Sequence, residues 1–175
     1  SRVKTMNSMF SACEAITELN ISSFKTNMVE DMSHMFGSMQ LLEKINVENF
    51  ETSKVNNMSS MFFNCHSLKE INVNFFNTSN VINMSNMFYL CRNIALLDLS
   101  NFDTSKVTDI SGFLYDCESL SEINLKNFDT SQVISMKNMF AFSRLTSLDL
   151  TNFNTNNVKD ISNMFYYCTQ LINVN

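Results

Sequence analysis

The sequence predicts an α/β repeat solenoid, with a parallel β-sheet on one face of the coil and short helices on the other. Three observations lead to this prediction: the word Met-Phe recurs along the whole chain, the interval between its copies is 26 residues, and the apolar periodicity changes within each copy. A unit of one short helix and one short strand cannot bury its apolar side alone, whereas stacked copies can.

The repeat divides the chain into seven copies, of which the sixth is one residue short. Each copy begins at a valine: Val3, Val29, Val55, Val81, Val107, Val133 and Val158. We expect residues 1–175 to form a single solenoid of about seven repeats, and to be an excerpt of a longer chain. The valine of each copy is position 1 below, so residues that share a position are equivalent.

Each copy divides into three parts, which the third copy shows in full. Residues 55–65 place apolar side chains at steps of three, three, one and three, which is typical of one face of a short helix. Residues 68–73 end in apolar alternation, which predicts a short half-buried strand. Residues 77–79, Asn-Thr-Ser, predict a turn. With two glycines and no proline in the chain, Asn, Asp, Ser and Thr must form the turns.

Apolar residues that recur at one position predict the ladders of the core. The core prediction comprises Met61, Phe62, Cys65, Met87, Phe88, Cys91, Phe102, Cys117 and Phe128. All five cysteines share one position, where Met39 and Ser143 replace them, so we interpret them as small buried apolar residues. The open alternative is a disulfide between neighbours such as Cys65 and Cys91. No metal site is expected, because ladder side chains point the same way and do not converge.

A family resemblance accompanies this pattern. The word FYLC at residues 88–91 and the run LDLSNFDTSKVTD at residues 97–109 resemble the BspA-type leucine-rich repeats, in particular the branch found in mycoplasma surface lipoproteins. The resemblance covers the whole chain. It implies a leucine-rich-repeat-like right-handed coil at the cell surface or secreted, with a role in adhesion. The sequence departs from that branch in its period, which is about one residue longer.

Two surfaces are candidates for binding. The first is the predicted sheet face, which combines residues that vary between copies and lean acidic with members of the Asn/Asp ladder at position 18: Glu18, Lys44, Glu70, Asn72, Leu96, Asp98, Glu122 and Asn124. The second is an aromatic row just after Met-Phe: Phe63, Tyr89, Tyr115 and Tyr166. The alternative for the aromatic row is that its rings fold over the edge of the core.

Two polar ladders are expected to be structural. For the Asn/Asp ladder at position 18, which includes Asn72 and Asp98, we favour side chains that hydrogen-bond along the stack over a binding stripe or a cation site. For the Thr ladder at position 24, which includes Thr78, we favour helix capping or turn closure over ice binding.

These patterns favour a binding function over catalysis. The two histidines, His34 and His66, have no repeat-defined catalytic partner, and no nucleotide-binding or nucleophile-elbow motif occurs, so we expect no enzyme and no cofactor. The net charge of -5 argues against nucleic acid, and no apolar stretch in this segment predicts membrane insertion. We expect a recognition or adhesion module for a protein or glycan on a host or neighbouring cell. The alternative is a structural spacer or a surface-layer subunit that self-associates through open ends.

Overall fold

The predicted α/β class is wrong. The computed structural model describes residues 2–175, and in that range it contains no helix and only two strands, each of two residues. Strand β1 is Ser147–Leu148 and strand β2 is Asn173–Val174, and they pair in parallel with Ser147 opposite Asn173. The helical face and the continuous sheet of the prediction are therefore both absent from the described residues, and the architecture is a stack of turn-rich coils.

The coils stack at the interval of the repeat. Isolated parallel bridges join position 3 of every copy to the next, from Thr5 with Asp31 through to Ser135 with Asp160. Further bridges join position 16, where Lys44 pairs with Glu70 and Glu70 with Leu96. Residues that share a position therefore lie side by side in neighbouring coils.

Left-handed backbone explains why the Met-Phe segment is not a helix. A helix needs a φ near −60° at every residue, but positions 6 and 10 of each copy have φ between 55° and 61°. Position 6 is occupied by Ser8, His34, Ser60, Asn86, Gly112, Asn138 and Asn163, and position 10 by Ala12, Ser38, Asn64, Leu90, Asp116, Phe142 and Tyr167. Most residues at position 6 are Asn, Ser or Gly, and Asn and Gly adopt this conformation at the lowest cost.

Backbone hydrogen bonds in this segment alternate between two destinations. The Asn86 N–H donates to the Ser111 carbonyl of the next copy at 2.8 Å, whereas the Tyr89 N–H donates back to the Asn86 carbonyl at 3.2 Å. Met84, Phe88 and Leu90 also donate to the next copy, and Met87 and Cys91 donate within their own turns. We call residues 84–91 and their equivalents the turn ribbon. A helix would keep all these bonds within one copy, so the ribbon conformation is what joins the coils.

Asn and Asp side chains close the turns. In the fourth copy, Oδ1 of Asn83, Asp98 and Asp103 each accepts a hydrogen bond from the N–H two residues later, at 2.8, 2.9 and 3.0 Å. These are Asx turns, which need neither glycine nor proline. The Asx turn at position 18 also limits the predicted strand, because it redirects the chain two residues after the bridge at position 16.

The core runs through the stack as ladders of equal side chains. All nine residues predicted for the core are buried. The Phe62 ring stacks between Phe36 and Phe88, with ring centroids 5.5 and 5.6 Å apart.

The threonines at position 24 of the first five copies are buried, and their hydroxyl groups join neighbouring coils. We expected helix capping or turn closure; helix capping is wrong because the described residues contain no helix, and the hydroxyl groups bond the next coil in place of their own turn. The Thr78 Oγ1 accepts the Asp103 N–H at 2.8 Å and donates to the Asp103 carbonyl at 3.0 Å. Thr26, Thr52 and Thr130 bond the next copy in the same two ways. A buried row cannot present its hydroxyl groups to ice.

Candidate binding groove

The first four copies form a groove of about 980 Å³ along the predicted sheet face. Its lining comes mainly from positions 16 to 20 of these coils: Glu18, Leu19, Asn20, Lys44, Ile45, Asn46, Val47, Glu48, Glu70, Ile71, Asn72, Asn74, Leu96 and Asp98. Ile45 and Ile71 are 7% and 8% exposed, so the floor is apolar and close to the core. The charged and amide side chains of the alternate positions stand around this floor, and all of them except the half-buried Asn74 are exposed.

Hydrogen bonds fix the polar side chains of the groove. The Asx turn holds Asn72, whose Oδ1 accepts the Asn74 N–H at 3.1 Å, while its Nδ2 donates to Glu48 Oε1 at 3.1 Å. The Asn74 Nδ2 donates to Asp98 Oδ2 at 2.8 Å. The position 18 ladder therefore closes its own turns and also bonds to neighbouring coils, which is more than the hydrogen bonding along the stack that we predicted.

The groove carries negative charge. Four carboxylates line it, Glu18, Glu48, Glu70 and Asp98, against the single ammonium of Lys44. Hydrogen bonds from the Ser100 N–H and from Asn74 lower the pKa of Asp98 below its ordinary value. The Asp98 carboxylate therefore remains charged in mildly acidic solution.

Leu96 is an apolar side chain among these charges. It is 81% exposed, and its backbone bridges to Glu70 in the preceding coil. Burial of a leucine side chain is worth about 1.5–3 kcal/mol, so an exposed leucine in a groove is a favourable point of contact for a partner.

Six of the eight residues predicted on the sheet face line the groove, and two do not. Glu122 and Asn124 occupy the same positions in the fifth copy and are exposed, but they lie outside the lining. Glu48 and Asn74 also line the groove. Both occupy position 20, which varies between copies on the same predicted face, although they were not among the eight candidates. Their hydrogen bonds to Asn72 and Asp98 make them part of the site.

The aromatic row is separate from the groove, and its rings stack on one another. Tyr89 lies between Phe63 and Tyr115, with ring centroids 5.1 and 4.2 Å apart, and the Tyr89 and Tyr115 planes differ by 2°. The row continues through Phe142 to Tyr166, which is 56% exposed. Burial and a hydrogen bond with Tyr115 raise the pKa of Tyr89 to about 12. Neighbouring rings thus cover each other's faces, and the inner rings present mainly their edges.

The cysteine ladder is a packing feature of the core. All five thiols are free, and the Cys91 Sγ donates to the Phe62 carbonyl of the preceding copy at 3.0 Å. Burial raises the pKa of Cys65 to about 12, so this thiol stays protonated and unreactive at neutral pH. Within residues 2–175, no group of three or more His, Cys, Asp or Glu side chains is arranged to hold a metal ion.

A column of charged residues at position 12 was not predicted. The Arg92 guanidinium contacts Asp116 at 2.7 Å and Glu118 at 3.4 Å, and Arg144 contacts Glu118 at 3.8 Å. Burial and the charge of Arg92 lower the pKa of His66, which belongs to the same column. Opposite charges in successive copies, one period apart, were the signal for this column. Its charges pair with one another, so the column leaves little charge for a ligand.

Comparison with known proteins connects the chain to one family. A family model described as "Mycoplasma protein of unknown function, DUF285" matches residues 4–96 and again residues 90–175. Neither the curated proteins nor the solved structures contain a match. Across residues 2–175 no helix has the length and apolar character needed to cross a membrane.

Proposed function

The chain belongs to this mycoplasma family of unknown function, and from the geometry of its surface we propose that it is a recognition module that binds a protein partner in the groove. The observation that carries the proposal is the groove itself, an apolar floor with charged and amide side chains from four successive coils. A concave apolar surface with a few placed polar groups is the usual form of a binding site.

Variation between copies supports this choice of surface. Position 1 is valine in all seven copies and lies in the core at most of them, whereas position 16 reads Glu18, Lys44, Glu70 and Leu96 across the groove. Residues that pack between coils must keep their size and polarity. Residues at position 16 are exposed, so they are free to differ and together give the groove a specific chemistry.

The aromatic row fits a binding role less well. A sugar ring or another flat ligand binds an aromatic side chain through the face of the ring, and the Phe63, Tyr89 and Tyr115 faces are occupied by each other. This geometry favours a protein partner in the groove over a glycan on the row.

The location of the protein is also a proposal. The resemblance to BspA-type repeats implies a surface or secreted protein. An antibody against the groove face, applied to intact cells that carry the protein, tests this location. Labelling of intact cells is expected, whereas labelling only after permeabilisation would contradict it.

Peptide display tests the groove without assuming a ligand. A random peptide library is panned against the protein, and the enriched peptides are tested against Leu96→Asp and against Ile82→Asp as the matched control. Both substitutions place a carboxylate on an exposed apolar position, but only Leu96 lines the groove. We expect Leu96→Asp to abolish binding and Ile82→Asp to preserve it. Enriched peptides that bind both variants equally, or no enrichment, would overturn the proposal.

A further inference from the structure

We propose that the groove selects an extended, positively charged segment of a partner protein, in which basic side chains flank an apolar side chain that sits on Leu96. This inference rests on the proposed function and specifies the chemistry of the partner. It follows from the charge of the groove, from the place of Leu96 within it, and from the spacing of the coils.

The groove carboxylates form no ion pair within the described residues, although Lys44 lies in the same groove. Among residues 2–175, ion pairs form between Lys4 and Glu30, Lys69 and Glu43, Arg92 and its two acidic neighbours, and Arg144 and Glu118. None of these pairs includes Glu18, Glu48, Glu70 or Asp98. Glu48 accepts a hydrogen bond from the Asn72 amide, and Asp98 accepts hydrogen bonds from the Asn74 amide and the Ser100 N–H. None of these donors is charged, so the charge of the carboxylates remains available to a ligand.

The surroundings of Leu96 define the order of side chains in the ligand. Glu70 lies beside it across the parallel bridge, and Asp98 is two residues later in the same coil and held by Asn74. An apolar group placed on Leu96 therefore has a carboxylate on two sides. Lysine or arginine on both sides of an apolar residue complements this arrangement, because it pairs the carboxylates and covers the leucine.

The spacing of the coils favours an extended ligand. Neighbouring coils joined by a parallel bridge lie roughly 4.8 Å apart, so the four coils of the groove span on the order of 14 Å. An extended chain rises about 3.3 Å per residue, and its alternate side chains point to the same side. Leu96 lies in the last of the four coils, so a segment with its apolar residue i on Leu96 places the basic residue i−2 over the coil of Glu70. The basic residue i+2 lies on the other side of Leu96, where its long side chain can reach back to Asp98 in the same coil.

Lys44 sets the polarity of the arrangement. It lies at position 16 between Glu18 and Glu70, two coils before Leu96. A third basic ligand residue opposite Lys44 would meet a like charge. The best ligand thus has its basic residues near Leu96 and an uncharged or acidic residue toward Lys44.

Fluorescence anisotropy with synthetic peptides tests this inference on the full chain. The probe is a fluorescein-labelled seven-residue peptide with a central leucine and lysines at i−2 and i+2, on a serine background. Two matched peptides serve as controls. In the glutamate peptide, glutamate replaces both lysines, and in the serine peptide, serine replaces the leucine. We expect the glutamate peptide to bind more weakly by about tenfold or more, and the serine peptide to bind more weakly as well. Binding of the lysine peptide should weaken as salt rises from about 50 to about 300 mM.

Two protein variants complete the test. Glu70→Lys reverses a groove charge and should weaken binding of the lysine peptide by about tenfold or more, whereas Glu51→Lys reverses an exposed charge outside the groove and should leave it unchanged. Circular dichroism melting curves of both variants check that the fold is retained.

The inference is overturned if the glutamate peptide binds as tightly as the lysine peptide, if Glu70→Lys and Glu51→Lys behave alike, or if the lysine peptide does not bind. The display experiment separates this failure from failure of the proposed function. Groove-dependent peptides that lack basic residues would overturn the partner chemistry alone. The absence of any groove-dependent peptide would overturn both.

Discussion

The turn ribbon and the groove face are two sides of the same coils with opposite properties. In the ribbon, successive N–H groups are hydrogen-bonded alternately to the next copy and within their own turns, and the side chains of Met, Phe and Cys are buried. On the groove face, single bridges join the coils and the side chains are exposed and varied. The difference indicates that the ribbon holds the stack together, which leaves the groove face free to change its chemistry.

Substitution of one large apolar residue on each side of the coils should give the greatest difference in stability. Phe102 is 2% exposed and Leu96 is 81% exposed. We expect Phe102→Ala to lower the free energy of unfolding by about 3–5 kcal/mol, because a buried aromatic ring is lost. Leu96→Ala should change it by less than about 0.5 kcal/mol. Chemical denaturation measures both, and similar losses would show that the groove face also supports the stack.

A substitution at Thr78 tests whether the threonine ladder connects neighbouring coils, and its effect should be smaller. Thr78→Val keeps the shape of the side chain but leaves the N–H and carbonyl of Asp103 without their buried partner, which costs about 1–3 kcal/mol. Thr78→Ser retains the hydroxyl group and is the matched control. Equal stability of the valine and wild-type proteins in urea denaturation would show that this bond contributes nothing.

Substitutions at Asn86 test the left-handed positions of the turn ribbon, and we expect a smaller effect on stability here. Asn86 has φ 56°, a conformation that β-branched residues adopt at a cost of roughly 1–2 kcal/mol. We expect Asn86→Val to lower the thermal midpoint and Asn86→Gly to leave it nearly unchanged. If valine were tolerated as well as glycine, the backbone at position 6 would not be left-handed.

The smallest effect concerns the Asx turns and pH. Hydrogen bonds from the Ser105 hydroxyl and N–H lower the pKa of Asp103. The folded protein then gains stability above the ordinary aspartate pKa of about 3.9, and loses it as the pH falls through the lower folded value. Asp103→Asn keeps the acceptor oxygen, as Asn77 does naturally. We expect Asp103→Asn to change the free energy of unfolding by less than about 0.5 kcal/mol at neutral pH. As the pH falls, the variant should lose less stability than the wild-type protein. An unchanged acid profile would contradict this role.

The sequence predicted the ladders and most of the groove but not the local backbone. Val55, Met58, Met61 and Phe62 face the core as expected, yet their spacing fits the turn ribbon as well as a helix. The distinguishing signal was Asn, Ser or Gly at position 6, since Asn and Gly tolerate a positive φ. The boundary of the groove could not be predicted, because Glu122 and Asn124 have the same positions and exposure as the lining residues. Their place outside the groove depends on how neighbouring coils pack, which no single position encodes.

The hydrogen bonds of the turn ribbon are tested most directly by NMR, through the scalar coupling across a hydrogen bond between the Asn86 amide nitrogen and a carbonyl carbon. We expect a coupling to the carbonyl carbon of Ser111, 25 residues later in the next coil. A coupling to Ile82 instead, four residues earlier, would mean that the segment is helical. It would contradict the turn ribbon, and with it the division of each coil into a hydrogen-bonded ribbon and an exposed groove face.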